Sequence, residues 1–176
     1  MNQSAARTAN ELVVVVVRKD LWKKRANFNL RTIEEGLKGK STHEYTKREK
    51  RGINYYAKLM AILYTDFWGI LGLIKYMFFW IVGFFRPVYR QARQSDMRIV
   101  AHKSAALAAQ TFMLSMAAED YDTCPMEGFD SLRVKRTLNL PHKSEINMII
   151  ACGIRKPEGI YAERKRVPFQ EVYVEV

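Results

Sequence analysis

The chain has 176 residues, of which 48% are hydrophobic and 27% are charged, and its formal net charge at pH 7 is +11. This balance excludes an intrinsically disordered chain, and the length suits one folded domain with a substantial hydrophobic core. The two cysteines, Cys124 and Cys152, offer neither a disulfide framework nor the spacing of a zinc site, and no signal peptide is recognisable. We therefore expect a reducing, cytoplasmic environment.

The excess positive charge is concentrated between Arg18 and Lys58, where 13 Lys and Arg residues face five Asp and Glu residues. Such a surface attracts anions, including nucleic acid, acidic lipid and phosphorylated cofactors. Aromatic residues are not interleaved there as stacking platforms, which favours a solvated basic surface over a nucleic-acid site. We expect no nucleic-acid partner.

The apolar, β-branched run Leu12–Val17 predicts a strand that is buried on both faces. The polar and basic residues that follow predict short helical turns over residues 31–37 and a charged helix over residues 42–51.

Residues 59–85 are almost entirely apolar, with only Asp66 and Lys75 charged. The stretch is long enough to span a bilayer as one helix. However, Asp66 and Lys75 would lie on opposite faces of that helix, and a charge facing lipid is costly. Two alternatives remain: a helical insert (59–93) packed against protein, which we favour, and a helical pair broken near Gly69 or Gly72 that lies at a membrane surface.

The second half of the chain alternates between clear helix and strand patterns. An alanine-rich helix is predicted over residues 97–119, a helix over 131–138 and a strand over 146–152. Between the two helices, Pro125 and Gly128 predict a loop over residues 124–130, with Asp130 or Ser131 as a helix N-cap. The alternating valines of residues 170–176 predict an edge strand.

The sequence of this loop closely resembles the flavin-contacting loop of the nitroreductase family. It reads Thr123-Cys124-Pro125-Met126-Glu127-Gly128-Phe129-Asp130. The alanine-rich segment before it resembles that family's central helix, Glu145–Gly153 its late core strand, and Arg164–Pro168 its phosphate-binding segment. These resemblances follow the family order, cover residues 98–176 well and extend more weakly to residues 2–18.

The resemblance implies a single α+β domain over residues 1–176, in which a mixed sheet from strands near 12–18, 146–153 and 170–176 is surrounded by helices. It also implies a homodimer in which the C-terminal segment, 164–176, is exchanged between subunits. The implied activity is hydride transfer from NAD(P)H through FMN to a nitroaromatic, a quinone or a similar small acceptor. A cofactor then carries the chemistry, which fits a sequence without a catalytic triad, a metal cluster or a GxGxxG motif.

By the same resemblance, Pro125, Met126, Glu127 and Gly128 line the isoalloxazine ring, with the backbone N–H groups of Glu127 and Gly128 near its redox edge. In an extended segment, Arg164 and Arg166 point to one side and can clamp a phosphate, although a charged turn is the plainer alternative. The match to the family favours the clamp. His102 is predicted to be a packed or surface residue, and His142 and Glu145 are predicted to be solvated rather than metal ligands.

Nitroreductases usually begin with a helix carrying an Arg-Ser-x-Arg type motif, followed by an Asn-x-Gln-Pro-Trp type segment. Neither motif occurs here, so the chain is expected to begin where the family is already more than a quarter complete. The alternative function is therefore a flavin-free or truncated protein of this fold without activity, with membrane-surface association as a further property.

Overall fold

A computed structural model of the chain describes residues 3–65 and 69–176. Its three strands form one sheet in the order β1-β3-β2, and both pairings are antiparallel. The strands are β1 (Glu11–Val17), β2 (Asp122–Met126) and β3 (Glu145–Gly153). The α-helices of the described residues are α1 (Ser4–Thr8), α2 (Trp22–Gly36), α3 (Lys47–Asn54), α4 (Met60–Tyr64), α5 (Ile70–Phe85), α6 (Gln94–Ala118), α7 (Ser131–Thr137) and α8 (Phe169–Val172).

The α+β class is confirmed, but two details of the predicted sheet are wrong. The sheet is antiparallel rather than mixed, and its third strand is β2 rather than residues 170–176. The C-terminal residues instead form the single helical turn α8, where the ring of Phe169 stacks on that of Tyr173 at 4.7 Å. An alternating pattern becomes a strand only where a sheet edge is available to pair with it.

β1 was expected to be buried on both faces, and this expectation is also wrong. Only Val17 is buried, and the other residues of β1 are half-buried or exposed. β1 has one neighbouring strand and therefore lies at an edge of the sheet. The central position belongs to β3, in which five of the nine residues are buried.

The core lies on both faces of β3. On one face, Met126, Ile146, Ile149 and Ala151 form a buried cluster. Residues of α1 and α7, together with Phe129, pack against this cluster. Ile150 points to the opposite face, since side chains alternate along a strand, and it is fully buried. α6 contacts all three strands and covers the sheet.

A β-bulge interrupts the pairing of β1 with β3. Val15 lies opposite Met148 and Val16 lies opposite Ile146, so Asn147 is an extra residue without a partner in β1. A bulge of this kind redirects a side chain. Here the Asn147 amide reaches α6, where it donates to the backbone carbonyl of His102 at 3.3 Å.

The helices before the hydrophobic stretch differ in length from the prediction. α2 has 15 residues and includes the predicted turns at its C-terminal end. α3 begins later than predicted because Thr46 is its N-cap: the Thr46 hydroxyl accepts from the Glu49 N–H, and the Glu49 carboxylate accepts from the Thr46 N–H. This reciprocal pair is a capping box.

Among its described residues, the hydrophobic stretch contains the helices α4 and α5, and α5 begins directly after Gly69, where the membrane-surface alternative placed a break near Gly69 or Gly72. Gly69 precedes α5 with a φ of 82°, a left-handed conformation that suits glycine. Asp66 and Trp68, on which part of the membrane argument depended, lie outside the described residues. Within the described residues, no helix has both the length and the apolar character needed to cross a membrane.

Candidate functional site

The segment predicted to be a flavin loop begins as a strand. Residues 122–126 form β2, in which Pro125 lies opposite Ile150 of β3. Proline lacks a backbone N–H and is compatible with this position because β2 is an edge strand. The loop is therefore shorter than predicted: it comprises residues 127–130, between the end of β2 and the start of α7.

The four residues predicted to line the flavin ring differ in their solvent exposure. Pro125, Glu127 and Gly128 are exposed, whereas Met126 is only 6% exposed and packs in the core. Successive side chains of a strand point to opposite faces, so burial of Met126 turns Pro125 outward. Met126 can therefore take part in a binding surface only through its backbone.

The loop presents backbone donors. Among the described residues, no hydrogen bond uses the N–H of Glu127 or of Gly128. The carbonyl groups of the same two residues are occupied: that of Glu127 accepts from the Phe129 N–H at 3.0 Å, and that of Gly128 accepts from the Gln3 side chain at 3.2 Å. Two adjacent N–H groups on an exposed bend can hydrogen-bond a ligand acceptor.

Asp130 fixes the end of the loop, as predicted. Its Oδ1 atom accepts from the N–H groups of Leu132 at 3.0 Å and Arg133 at 3.1 Å, which makes it the N-cap of α7. Its Oδ2 atom is 3.2 Å from the Arg133 guanidinium. The helix therefore begins immediately after the bend and holds its backbone in place.

The start of α1 connects the loop with the C-terminal segment. Gln3 donates to the Gly128 carbonyl, and the next residue, Ser4, has its hydroxyl oxygen 3.0 Å from the Tyr161 hydroxyl. Arg164 follows Tyr161 by three residues, which corresponds to roughly 10 Å of chain at most. The sequence contained no signal for this connection, because it joins residues 157 positions apart.

Arg164 and Arg166 are both exposed, in a stretch without helix or strand that precedes α8. One guanidinium nitrogen of Arg166 donates to the Lys165 carbonyl at 3.1 Å, which leaves its other nitrogens facing solvent. The predicted arginine pair is thus accessible to an anion. Its role as a phosphate clamp remains a prediction.

A second polar cluster lies on the α6 side of the sheet. The Glu145 carboxylate accepts from the Arg98 guanidinium and lies 3.1 Å from His102 Nε2, while His102 Nδ1 lies 3.2 Å from the Asn147 amide nitrogen. Burial by itself would raise the pKa of Glu145, but its hydrogen bonds with His102 and Arg98 outweigh burial and lower the pKa below its ordinary value. The Asn147 amide oxygen is buried without a hydrogen-bond partner.

This cluster agrees with the structural role expected for His102, which is half-buried and attached to β3. His142 is exposed as predicted, but Glu145 is half-buried in an ion pair rather than solvated. No group of three or more potential metal ligands occurs in the part of the chain that the structure describes.

A cavity of about 560 Å³ opens near the start of β3. Its walls include Trp22, Tyr64 and Gly72, together with Lys19 and Lys143. It shares no residue with Pro125–Gly128 or with the arginine pair. Burial in this region raises the pKa of Tyr64.

The strand, bend and capped helix around Gly128 contain the motif that resembles the nitroreductase flavin loop. The model of the nitroreductase family matches residues 4–154, and the chain belongs to that family.

Two curated relatives match shorter parts of the chain. MhqN of Bacillus subtilis (strain 168), whose name describes an NAD(P)H nitroreductase, is 39% identical over 83 residues, which is 47% of this chain and 40% of that protein. Protein DrgA of Synechocystis sp. is 35% identical over 68 residues, which is 39% of this chain and 32% of that protein. The matches thus span less than half the length of each relative.

Solved structures show the same fold. The nitroreductase YdfN of B. subtilis has a TM-score of 0.62 and 26% identity, over 99% of this chain and 67% of that chain. A nitroreductase from Exiguobacterium sibiricum, solved in complex with FMN, has a TM-score of 0.60 and 16% identity, over 100% of this chain and 67% of that chain.

Proposed function

We propose that the protein is an FMN-dependent oxidoreductase that transfers hydride from NAD(P)H to a small-molecule acceptor such as a nitroaromatic or a quinone. The observation that carries this proposal is the pair of backbone N–H groups on the exposed bend at Glu127 and Gly128. Membership of the nitroreductase family supports the proposal, as does the FMN complex of the E. sibiricum relative.

The residues present fit such a cofactor. The bend offers donors to a flat, electron-rich ring, and the open side chains of Arg164 and Arg166 offer cationic forks to a phosphate. The contacts of Gln3 with Gly128 and of Ser4 with Tyr161 support placing these two groups of donors near one site.

When bound, FMN supplies the acceptance and release of hydride. The chain's own contribution is placement and electrostatics. The N–H groups of Glu127 and Gly128 would stabilise negative charge on the bound ring, and the exposed surface of Pro125 would contact it. Asp130 keeps the bend rigid by capping α7, so these donors need little reorganisation.

We also propose that residues 1–176 form one domain that acts as a homodimer. Two leucines of α6, Leu107 and Leu114, are more than 60% exposed and lie seven residues apart on one helix face. Phe169, Val172 and Val174 of the C-terminal segment are similarly exposed. Pairing of the α6 faces and exchange of residues 164–176 would cover both apolar surfaces.

We propose a cytoplasmic location, with residues 59–93 as an insert in the domain and peripheral membrane contact through residues 59–85. The thiols support a reducing compartment: Cys124 and Cys152 are both free.

A second candidate function is a flavin-free protein of this fold. The observation that favours it is that neither the Arg-Ser-x-Arg motif nor the Asn-x-Gln-Pro-Trp motif occurs in these 176 residues. The two candidates differ in a single property, the capacity of the chain to bind FMN.

Titration of the chain with FMN distinguishes the two candidates, with binding measured by the quenching of flavin fluorescence. We expect saturable binding that weakens at least about tenfold in Arg164→Gln/Arg166→Gln, because both charge-assisted contacts with the phosphate are lost. Lys165→Gln is the matched control, since it removes one charge between the two arginines and should change binding far less. Absence of saturable binding by the unaltered chain would favour the flavin-free candidate.

Oxidation of NADH and NADPH is then measured in the presence of FMN and either a nitroaromatic or a quinone. A rate above that of free FMN supports the proposed activity. A chain that binds FMN but gives no such rate contradicts it.

A further inference from the structure

One face of α5 is apolar along its whole length and uncovered. Positions three and four residues apart on a helix share a face. Eight side chains follow this spacing, and each is more than half exposed: Ile70, Leu73, Ile74, Met77, Phe78, Ile81, Phe84 and Phe85. We call these eight residues the α5 stripe. An exposed apolar surface of this extent is typical of an interaction site.

The other side of α5 faces the protein. Gly72 is the only buried residue of the helix. The guanidinium of Arg90 donates to the Gly83 carbonyl at 2.6 Å, and that of Arg93 lies 3.7 Å from the centre of the Tyr76 ring. Tyr76 and Gly83 are seven residues apart and therefore on one face. The segment after α5 thus folds back along this face and leaves the stripe outward.

Three arginines follow α5 closely, namely Arg86, Arg90 and Arg93, and all three are exposed. The apolar stripe is therefore accompanied by exposed positive charge, which is complementary to an anionic partner.

We propose that the α5 stripe binds the surface of a bilayer that contains anionic lipids. Interfacial helices combine an apolar face with cationic residues in this way, and their binding depends on both terms. α5 has 16 residues, and its length of about 24 Å is shorter than the roughly 30 Å hydrocarbon layer. The helix accordingly lies along the surface, with the stripe inward and the arginines at the headgroups.

A second copy of the chain fits this surface less well than lipid does. In a two-fold symmetric pair, the stripe of each copy would face the other, and Arg90 and Arg93, on the opposite side of the helix, would gain no anionic partner. Anionic headgroups supply that partner, and a fluid apolar layer accommodates a stripe that has no polar residue to set a register.

This inference deepens the membrane contact proposed above by naming its surface and the class of lipid. It is tested by flotation of the full chain with phosphatidylcholine vesicles and with vesicles that also contain phosphatidylglycerol. We expect the chain to float with the mixed vesicles at low salt and to bind neutral vesicles more weakly. Salt of about 1 M, at which the screening length is about 3 Å, should reduce the difference.

Two variants divide the apolar and the charged contributions. Phe78→Glu places a charge in the middle of the stripe and should abolish flotation, whereas Phe28→Glu, at a 66% exposed position of α2, should not. Arg86→Gln should lower binding to mixed vesicles roughly fivefold, the factor associated with one basic residue at such a surface. Lys38→Gln, at an exposed position after α2, is the matched charge control.

A spectroscopic measurement locates the contact. Trp80 lies on α5 and is about half exposed. Brominated lipids should quench part of the tryptophan fluorescence of the unaltered chain, and Trp80→Phe should remove that part. Unchanged quenching in this variant would place the contact elsewhere and overturn the proposal.

The proposal is also overturned if the chain does not float with mixed vesicles at low salt, or if Phe78→Glu floats as well as the unaltered chain. A Phe78→Glu variant that changes sedimentation in the absence of lipid but not flotation would identify the stripe as a contact between copies instead. FMN binding is measured on the same samples without vesicles, so a failure of lipid binding is distinguished from a failure of the proposed flavin site.

Discussion

β3 and α5 are both apolar, yet their side chains have opposite environments. In β3, five residues are buried between two strands and under the helices that cover the sheet: Ile146, Ile149, Ile150, Ala151 and Cys152. In α5, only Gly72 is buried and the stripe faces outward. Hydrophobicity therefore identifies both segments as surfaces to be covered. What covers each one is decided by the neighbours that the fold provides.

Because β3 is buried and α5 is exposed, the two segments have different functions. Burial makes β3 the support of the site, because it holds β2 and thereby the bend at Glu127 and Gly128. Exposure makes α5 a surface for a partner. Substitutions should accordingly affect stability in β3 and association in α5.

The largest expected effect is at the centre of β3. Ile150 is fully buried, so Ile150→Ala should lower the free energy of unfolding by about 2–5 kcal/mol through lost contacts and a residual cavity. Phe85→Ala, which removes a larger side chain from an 87% exposed position of the stripe, should cost less than about 0.5 kcal/mol. Urea unfolding of both variants tests the comparison, and similar losses would contradict it.

A smaller effect is expected at the junction of the bend and α7. Asp130→Ala removes the N-cap and should cost about 1 kcal/mol. It should also weaken FMN binding, because the bend is less firmly held. Asp130→Asn keeps an acceptor for the two N–H groups and serves as the control. Equal unfolding free energies for the two variants would argue against the capping role.

The ion pair between β3 and α6 should make stability depend on pH. The pKa of Glu145 is lowered in the folded chain from an ordinary value of 4.5. A carboxylate whose pKa is lower in the folded than in the unfolded chain stabilises the fold fully above its unfolded pKa. It loses that contribution as the pH falls through its pKa in the folded chain. Stability should therefore fall below about pH 4.5 less steeply in Glu145→Gln than in the unaltered chain. Glu119→Gln, at an exposed position after α6, is the control; equal slopes for the two variants would contradict the role of the pair.

The smallest effect concerns the reactivity of the two cysteine thiols, and no loss of stability is expected. Cys124 is exposed on β2, whereas Cys152 is buried in β3. A maleimide reagent should label Cys124 in the folded chain and Cys152 only after unfolding. Mass spectrometry of labelled peptides gives the result, and rapid labelling of Cys152 under native conditions would show that β3 is less protected than described.

Local patterns predicted much of this structure. The helix α6, the strand β3, the break at Gly69 and the N-cap at Asp130 each depend on residues close together in sequence. The motif around Gly128 was sufficient to place the chain in its family. These features arise from periodicity, capping and backbone conformation, which short segments determine.

Features that depend on distant pairing could not be predicted. The alternation in residues 170–176 was compatible with a strand, but whether a sheet edge would accept it depended on the remainder of the fold. The bulge at Asn147 depends on its register with β1, and the burial of Met126 depends on pairing with β3. The contact between Ser4 and Tyr161 likewise exists only after the termini have met.

The visible absorption spectrum of the purified chain, recorded after addition of FMN and desalting, tests the flavin site. We expect that a flavin spectrum is retained, that it is largely lost in Arg164→Gln/Arg166→Gln, and that NADH or NADPH bleaches it without oxygen. A folded chain that remains colourless would contradict the claim that the bend at Glu127 and Gly128 and the two arginines form a flavin site.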